Sequence, residues 1–321
     1  MKKKRARQIR TFVLVLLAVA GAAALAFVFH TAHMQRKTAV TPSSLSPARP
    51  ASDSRVPGAS YRPTFVPYSP YQAREPLPYE APPQVAPGFP PAPPLPPAQP
   101  YSGKPRIAIV LDDMGLNVSG TMRAIALPSS VTLSFLPYGS EAARLSSRAK
   151  EAGHEILLHV PMEPLGRENP GPGALLVDQT AGENLARLDW ALSRFGGYDG
   201  VNNHMGSRFT SAYDHISRIM GPLRERGLFF LDSATSLKSV GAKAAREAGV
   251  PTETRDVFLD TTPTLVAVKA QLATTELIAK RKGYAIAIGH PHPATLEALE
   301  SWARHVESRG FTLVPVRDLM K

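Results

Sequence analysis

Two carboxylates and four imidazoles carry the chemistry legible in this chain. Asp112 and Asp113 stand side by side, after the apolar run Ile107-Ala108-Ile109-Val110-Leu111 and before Met114-Gly115. His159 lies in Leu157-Leu158-His159-Val160-Pro161-Met162-Glu163, and His204 in Val201-Asn202-Asn203-His204-Met205-Gly206-Ser207. His290 and His292 follow another run, in Ile288-Gly289-His290-Pro291-His292-Pro293, and Asp232 and Asp260 end two more. One carboxylate with two or three neutral imidazoles suits a divalent borderline ion, zinc before other transition metals. Three protein ligands leave a position for water, whose pKa the ion brings towards 7. A second carboxylate can then take the water's proton, and a histidine across the site can protonate a leaving group. The parts for other chemistries are missing: no Gly-x-Ser-x-Gly elbow, no P-loop, no dinucleotide fingerprint and no cysteine.

Each residue also has a plainer reading, which the sequence alone leaves open. Adjacent aspartates at a strand end cap helices or bind backbone amides. A single histidine on a buried strand is commonly a satisfied core residue. His-Pro-His-Pro makes a rigid turn, and Asp232 and Asp260 suit helix caps. Independent capping, however, gives no reason for acid and imidazole to gather at the same end of four strands.

The elements that would position these groups follow from the pattern of apolar runs. Eight runs read as buried strands: Ile107–Leu111, Val131–Phe135, Glu155–Val160, Gly200–Asn203, Leu228–Leu231, Val257–Leu259, Tyr284–Ile288 and Phe311–Val314. Helical stretches separate them, among them Ser140–Ala152, stopping at Gly153, and one opening at Thr262-Pro263 and ending at Gly283. A third runs from about Ala294 to Val306. Strand–helix alternation implies parallel strands joined by right-handed crossovers. The α/β class follows, as an irregular (β/α) barrel of seven or eight parallel strands over residues 105–321. A barrel brings every strand end to one mouth. His154, His215 and His305 fall outside the strand ends and read as surface residues.

The first hundred residues are unlike the rest. Residues 1–10 form a basic tip, and 11–30 form an apolar segment long enough to cross a bilayer. Charge on the near side predicts a cytoplasmic N-terminus. The run exceeds an ordinary signal-peptide core, so it reads as an uncleaved inner-membrane anchor; secretion after signal cleavage is the alternative. Residues 31–104 read as a disordered linker: 19 of the 32 prolines lie between Pro42 and Pro100, which favours stiff polyproline II. From Pro105 onward, 24 Lys and Arg face 23 Asp and Glu. The folded part is nearly neutral, which argues against nucleic acid as a partner.

Five segments together resemble the divergent polysaccharide deacetylase family, a distant branch of the NodB-type carbohydrate deacetylases. They are Ile109–Gly115, Leu158–Glu163, Asn202–Ser207, Phe230–Ser233 and Ala287–Pro291. The resemblance implies a NodB-like barrel and metal-dependent removal of acetyl groups from an exported or cell-wall glycan. It assigns Asp112 as general base, His290 as general acid, and Asp113, His159 and His204 as metal ligands. Glu163, Asn203, Asp232, Asp260 and His292 become candidates for contacting substrate or supporting those groups. The family's usual His-x-x-x-His pair is absent, so His204 must come from another strand. Arg208 and Arg255 are candidates for a motif arginine that has no clear counterpart. The expected partners are an acetylated polysaccharide or peptidoglycan, and a cell-wall hydrolase. The alternative is a catalytically inactive envelope protein that keeps the barrel and the metal site.

Overall fold

The computed structural model describes residues 103–321. The basic tip, the anchor and all but the last two linker residues lie outside that range. No helix among the described residues is long and apolar enough to cross a membrane.

Nine strands form one all-parallel sheet: β1 Arg106–Met114, β2 Thr132–Phe135, β3 Ile156–Met162, β4 Gly200–Met205, β5 Phe229–Asp232, β6 Thr252–Thr254, β7 Val257–Phe258, β8 Tyr284–Gly289 and β9 Thr312–Leu313. Eight follow the order β6-β5-β4-β3-β2-β1-β8-β7, while β9 pairs only with the foot of β1. The two edge strands are consecutive in sequence. Arg255 donates its backbone N–H to Asp232 on β5, and Asp256 donates to Ile286 on β8. The sheet therefore curls on itself as an incomplete barrel. One strand more than expected is present, because the polar Thr252-Glu253-Thr254 does not read as a strand. The expected run Val257–Leu259 is β7, and Phe311–Val314 shrinks to β9.

Seven helices connect the strands: α1 Val118–Ile125, α2 Ala142–Glu151, α3 Ala181–Leu192, α4 Tyr213–Glu225, α5 Gly241–Glu247, α6 Leu265–Lys282 and α7 Pro293–Ala303. The helix expected from Thr262-Pro263 starts later. Thr264 is its N-cap, accepting from the Ala267 N–H at 3.3 Å, and Gly283 ends it at φ 87°. Pro293 opens α7 in the first turn, where its missing N–H costs nothing.

Strand parity sorts side chains into two layers. Ile107, Ile109 and Leu111 join the large core between sheet and helices, as do Leu158, Val160, Val201 and Phe230. Ala108, Val110, Leu157, Phe229, Leu231, Ile286 and Ile288 form a smaller core inside the barrel. Val314, Val316 and Leu319 belong to that inner core, so the C-terminal turn Val316–Leu319 closes the barrel foot. The opposite end is left to polar residues.

Candidate metal centre

Parity decides which polar side chains face into the mouth. Asp112 follows Ala108 and Val110 on the inner face of β1. His159 follows Leu157 on β3, and Asn202 and His204 share the inner face of β4. Asp260 and His290 continue the inner phases of β7 and β8. Asp113 is out of phase and should point at the helices. A bulge re-aims it: Leu111 to Met114 on β1 spans only Leu133 to Phe135 on β2, and Asp113 takes a left-handed φ of 59°. Bulges with such backbone bend a strand and redirect a side chain. Met205 (φ 51°) and Ala234 (φ 47°) are left-handed at the ends of β4 and β5. This conformation costs non-glycine residues about 1–2 kcal/mol each, and here it recurs at one end of the barrel.

Asp113 Oδ1 lies 2.9 Å from His204 Nδ1 and 3.4 Å from His159 Nε2. The two imidazole nitrogens are 3.2 Å apart. Despite that proximity, Asp113 Oδ1 is buried and accepts no hydrogen bond. A buried, partnerless carboxylate oxygen is costly, and two ring nitrogens converge on the same space. Tetrahedral ligands at about 2.1 Å from an ion stand about 3.4 Å apart, close to the three edges seen. The cluster, two nitrogens and one oxygen, therefore fits a divalent transition ion.

The surrounding charges agree. Burial alone would raise the Asp113 carboxyl's pKa, but the two histidines beside it hold it well below the usual range. Asp112, 3% exposed, has its pKa raised by burial against the pull of His159, His290 and an Asn202 hydrogen bond. Burial pulls His159 down, yet Asp112 and Asp113 outweigh it and lift its affinity for a proton. Without an ion, this field draws positive charge as protons.

His290 stands across the site, its Nε2 3.9 Å from Asp113 Oδ2. Its Nδ1 meets Asp260 Oδ1 at 3.1 Å. Asp260 Oδ2 accepts from the His290 backbone N–H at 2.6 Å and from the Thr295 hydroxyl at 2.8 Å. Burial lowers the His290 pKa, but Asp260, Asp112 and Asp113 overcome it and bring it to about 9.

Other expected residues do different work. Asp232 lies in the helix-side phase of β5. It accepts from the Ala242 N–H at the start of α5, the Ser239 hydroxyl and the Ala234 N–H, which is the plainer capping reading. Asn203 is likewise turned outward, accepting from the Ser233 N–H and donating to the Met205 carbonyl. Glu163 pairs with Arg208 at 2.5 Å and accepts from the Val177 N–H. It stands at the edge of a cleft of about 360 Å³ whose lining includes Asn169, Asp178, Arg187 and Arg208. His292 sits at the start of α7, its ring 5.8 Å from that of His290. Arg255 donates to the Ser233 and Ala234 carbonyls and stacks on Phe258. His154, expected at the surface, is 2% exposed and bridges the Val131 and Ile125 carbonyls.

Sequence reasoning missed Asn202, Ser134, Ser233 and Thr295, the groups that hold the ionisable residues. Asn202 joins Asp112 and His159 directly. The inner parity of β4 was the available signal.

The family model of the divergent polysaccharide deacetylases matches residues 109–320. The uncharacterized protein YibQ of Escherichia coli K12 is 33% identical over 215 residues, 67% of this chain and 67% of YibQ. An uncharacterized protein of Haemophilus influenzae Rd is 34% identical over 201 residues, 63% of this chain and 72% of its own. The crystal structure of an uncharacterized protein from Agrobacterium tumefaciens C58 is similar with a TM-score of 0.66 at 35% identity, covering 69% of this chain and 92% of that one.

Proposed function

The chain belongs to the divergent polysaccharide deacetylase family, and we propose that it is a membrane-tethered, metal-dependent hydrolase removing acetyl groups from an exported or cell-wall polysaccharide. The observation that carries this reading is the convergence of Asp113 Oδ1, His159 Nε2 and His204 Nδ1 around one oxygen that lacks a hydrogen bond. These three atoms would hold zinc or a similar divalent ion. When bound, the ion supplies a Lewis acid and makes water a nucleophile near neutral pH.

The chain's own groups do the rest. Asp112 Oδ2 faces the cluster, 3.5 Å from His159 Nε2, and its raised pKa makes it a better proton acceptor than an ordinary carboxylate. It takes the proton of the water that attacks the acetyl carbon. Asp260 holds the His290 imidazole and keeps a proton on it. His290 Nε2 delivers that proton to the departing amine or hydroxyl as the bond to the acetyl carbon breaks, leaving acetate. The cleft beside Glu163 and Arg208 is the place for neighbouring sugar units, whose hydroxyls its acid and guanidinium groups can bind.

The apolar segment 11–30 and the proline-rich stretch after it support export, tethering to the inner membrane and a periplasmic barrel. The alternative, an inactive glycan-binding protein or one that regulates a cell-wall hydrolase, rested on the missing His-x-x-x-His spacing. His204 on β4 would supply the second imidazole in its place, and because both readings keep the ion, turnover is what separates them. The test uses full-length chain purified in detergent and loaded with zinc. It should release acetate from N- or O-acetylated glycan oligomers, and Asp112→Asn should abolish release while zinc stays bound. Stoichiometric zinc with no acetate from either class of oligomer would overturn the hydrolase in favour of the inactive reading.

A further inference from the structure

Asn202 is fully buried, and all four hydrogen-bonding positions of its side chain are engaged. Oδ1 accepts from the Ser134 hydroxyl at 2.6 Å and faces His159 Nδ1 at 2.8 Å. Nδ2 donates to Asp112 Oδ1 at 2.9 Å and to the Ser233 hydroxyl at 3.2 Å. The groups come from β1, β2, β3, β4 and the residue after β5, at one level inside the barrel. We infer that Asn202 is a positioning residue, whose two amide ends fix which nitrogen of His159 faces the metal and which oxygen of Asp112 serves as base.

The amide can be oriented only one way. An ionised carboxylate is an acceptor only. Turned over, the amide would set its oxygen against Asp112 Oδ1 at the distance now spanned by a hydrogen bond. With Nδ2 on Asp112, Oδ1 must face His159. Nδ1 then carries the ring hydrogen, and the Nε2 lone pair is presented towards Asp113 and His204. The same amide engages Asp112 Oδ1 as an acceptor. That leaves Oδ2, the oxygen nearer His159 Nε2, free to take a proton. One side chain thus ties the ligand to the base. Partners that orient a ligating imidazole typically change metal affinity 10–100-fold when removed.

This inference rests on the proposed function, and its test separates the two. Zinc affinity of the full chain is measured by competition with a chelator, alongside kcat and KM for acetate release and the melting temperature. Asn202→Ala removes both ends of the amide, so zinc affinity should fall 10–100-fold and kcat should fall with it. Asn202→Asp keeps an acceptor for His159 but sets a second carboxylate against Asp112 Oδ1, so the pair holds one proton between them and Asp112 is no longer free to serve as base. Zinc affinity should stay within about threefold, while kcat falls at least tenfold at unchanged KM. A general packing role would move both variants together. The inference fails if Asn202→Ala binds zinc as tightly as the parent, or if Asn202→Asp loses zinc and turnover in the same proportion as Asn202→Ala. A parent that binds zinc without releasing acetate defeats the hydrolase reading, and the affinity arm still decides the role of Asn202. A parent that binds no zinc defeats both.

Discussion

Replacing Asp260 by Asn should remove most of the pH dependence that His290 gives to the stability of the metal-free chain. In the folded protein the His290 pKa is about 9 against an ordinary 6.5, burial opposing the shift and Asp260, Asp112 and Asp113 driving it. The folded pKa is raised, so the stabilisation is fully present below pH 6.5 and is lost as pH rises through about 9. At about 1.36 kcal/mol per unit, the shift is worth about 3 kcal/mol. The His290 side chain is 21% exposed, buried enough for most of this to survive solvent screening. For a domain of this size that corresponds to about 6–12 °C in melting temperature. The assay is thermal or urea unfolding in excess chelator at about pH 6 and about pH 9.5. His159 adds a dependence of the same sign, so the difference between parent and Asp260→Asn is the quantity that matters. The variant should lose less than the parent between the two pH values, by at least about 1 kcal/mol. Equal losses in both proteins would refute the view that Asp260 holds the His290 proton.

The other predictions separate chemistry from scaffolding. Asp232→Ala deletes three hydrogen bonds around the start of α5 and should cost about 1–3 kcal/mol, seen in urea unfolding, with zinc affinity unchanged. Gly115 has φ 93°, and an added Cβ would lie 3.1 Å from Ala142 Cα. Gly115→Ala should therefore destabilise by about 2 kcal/mol, with the melting temperature as readout. Zinc at about a thousand times its Kd should stabilise the chain by about 4 kcal/mol. In His204→Ala the same zinc should leave the melting temperature within about 1 °C of its chelated value.

Much of this site follows from counting residues along strands. Taking the phase of β1 from Ala108 and Val110, and that of β3 from Leu157, places Asp112 and His159 inside the barrel. The same count turns Asp232 and Asn203 outward, where they hold backbone and the start of α5. Asp113 defeats the count, because the bulge that brings it back to the mouth depends on a left-handed turn that an aspartate-rich segment does not announce. Asn202 went unread for another reason. An amide has no ligand spacing to betray it, and its role exists only through partners on three other strands and the loop after β5. His154 carries the polarity of a surface residue but fills a gap between two buried carbonyls. The unexpected strand β6 reflects pairing with β5 at the sheet edge, just before the chain crosses at Arg255 and Asp256 to β8, a long-range requirement absent from local composition.

The most direct test of the account is anomalous scattering at the zinc absorption edge, from crystals grown with stoichiometric zinc. One strong peak is expected within bonding distance of Asp113 Oδ1, His159 Nε2 and His204 Nδ1. A peak bound by other residues, or no peak while those three atoms stay together, would contradict it.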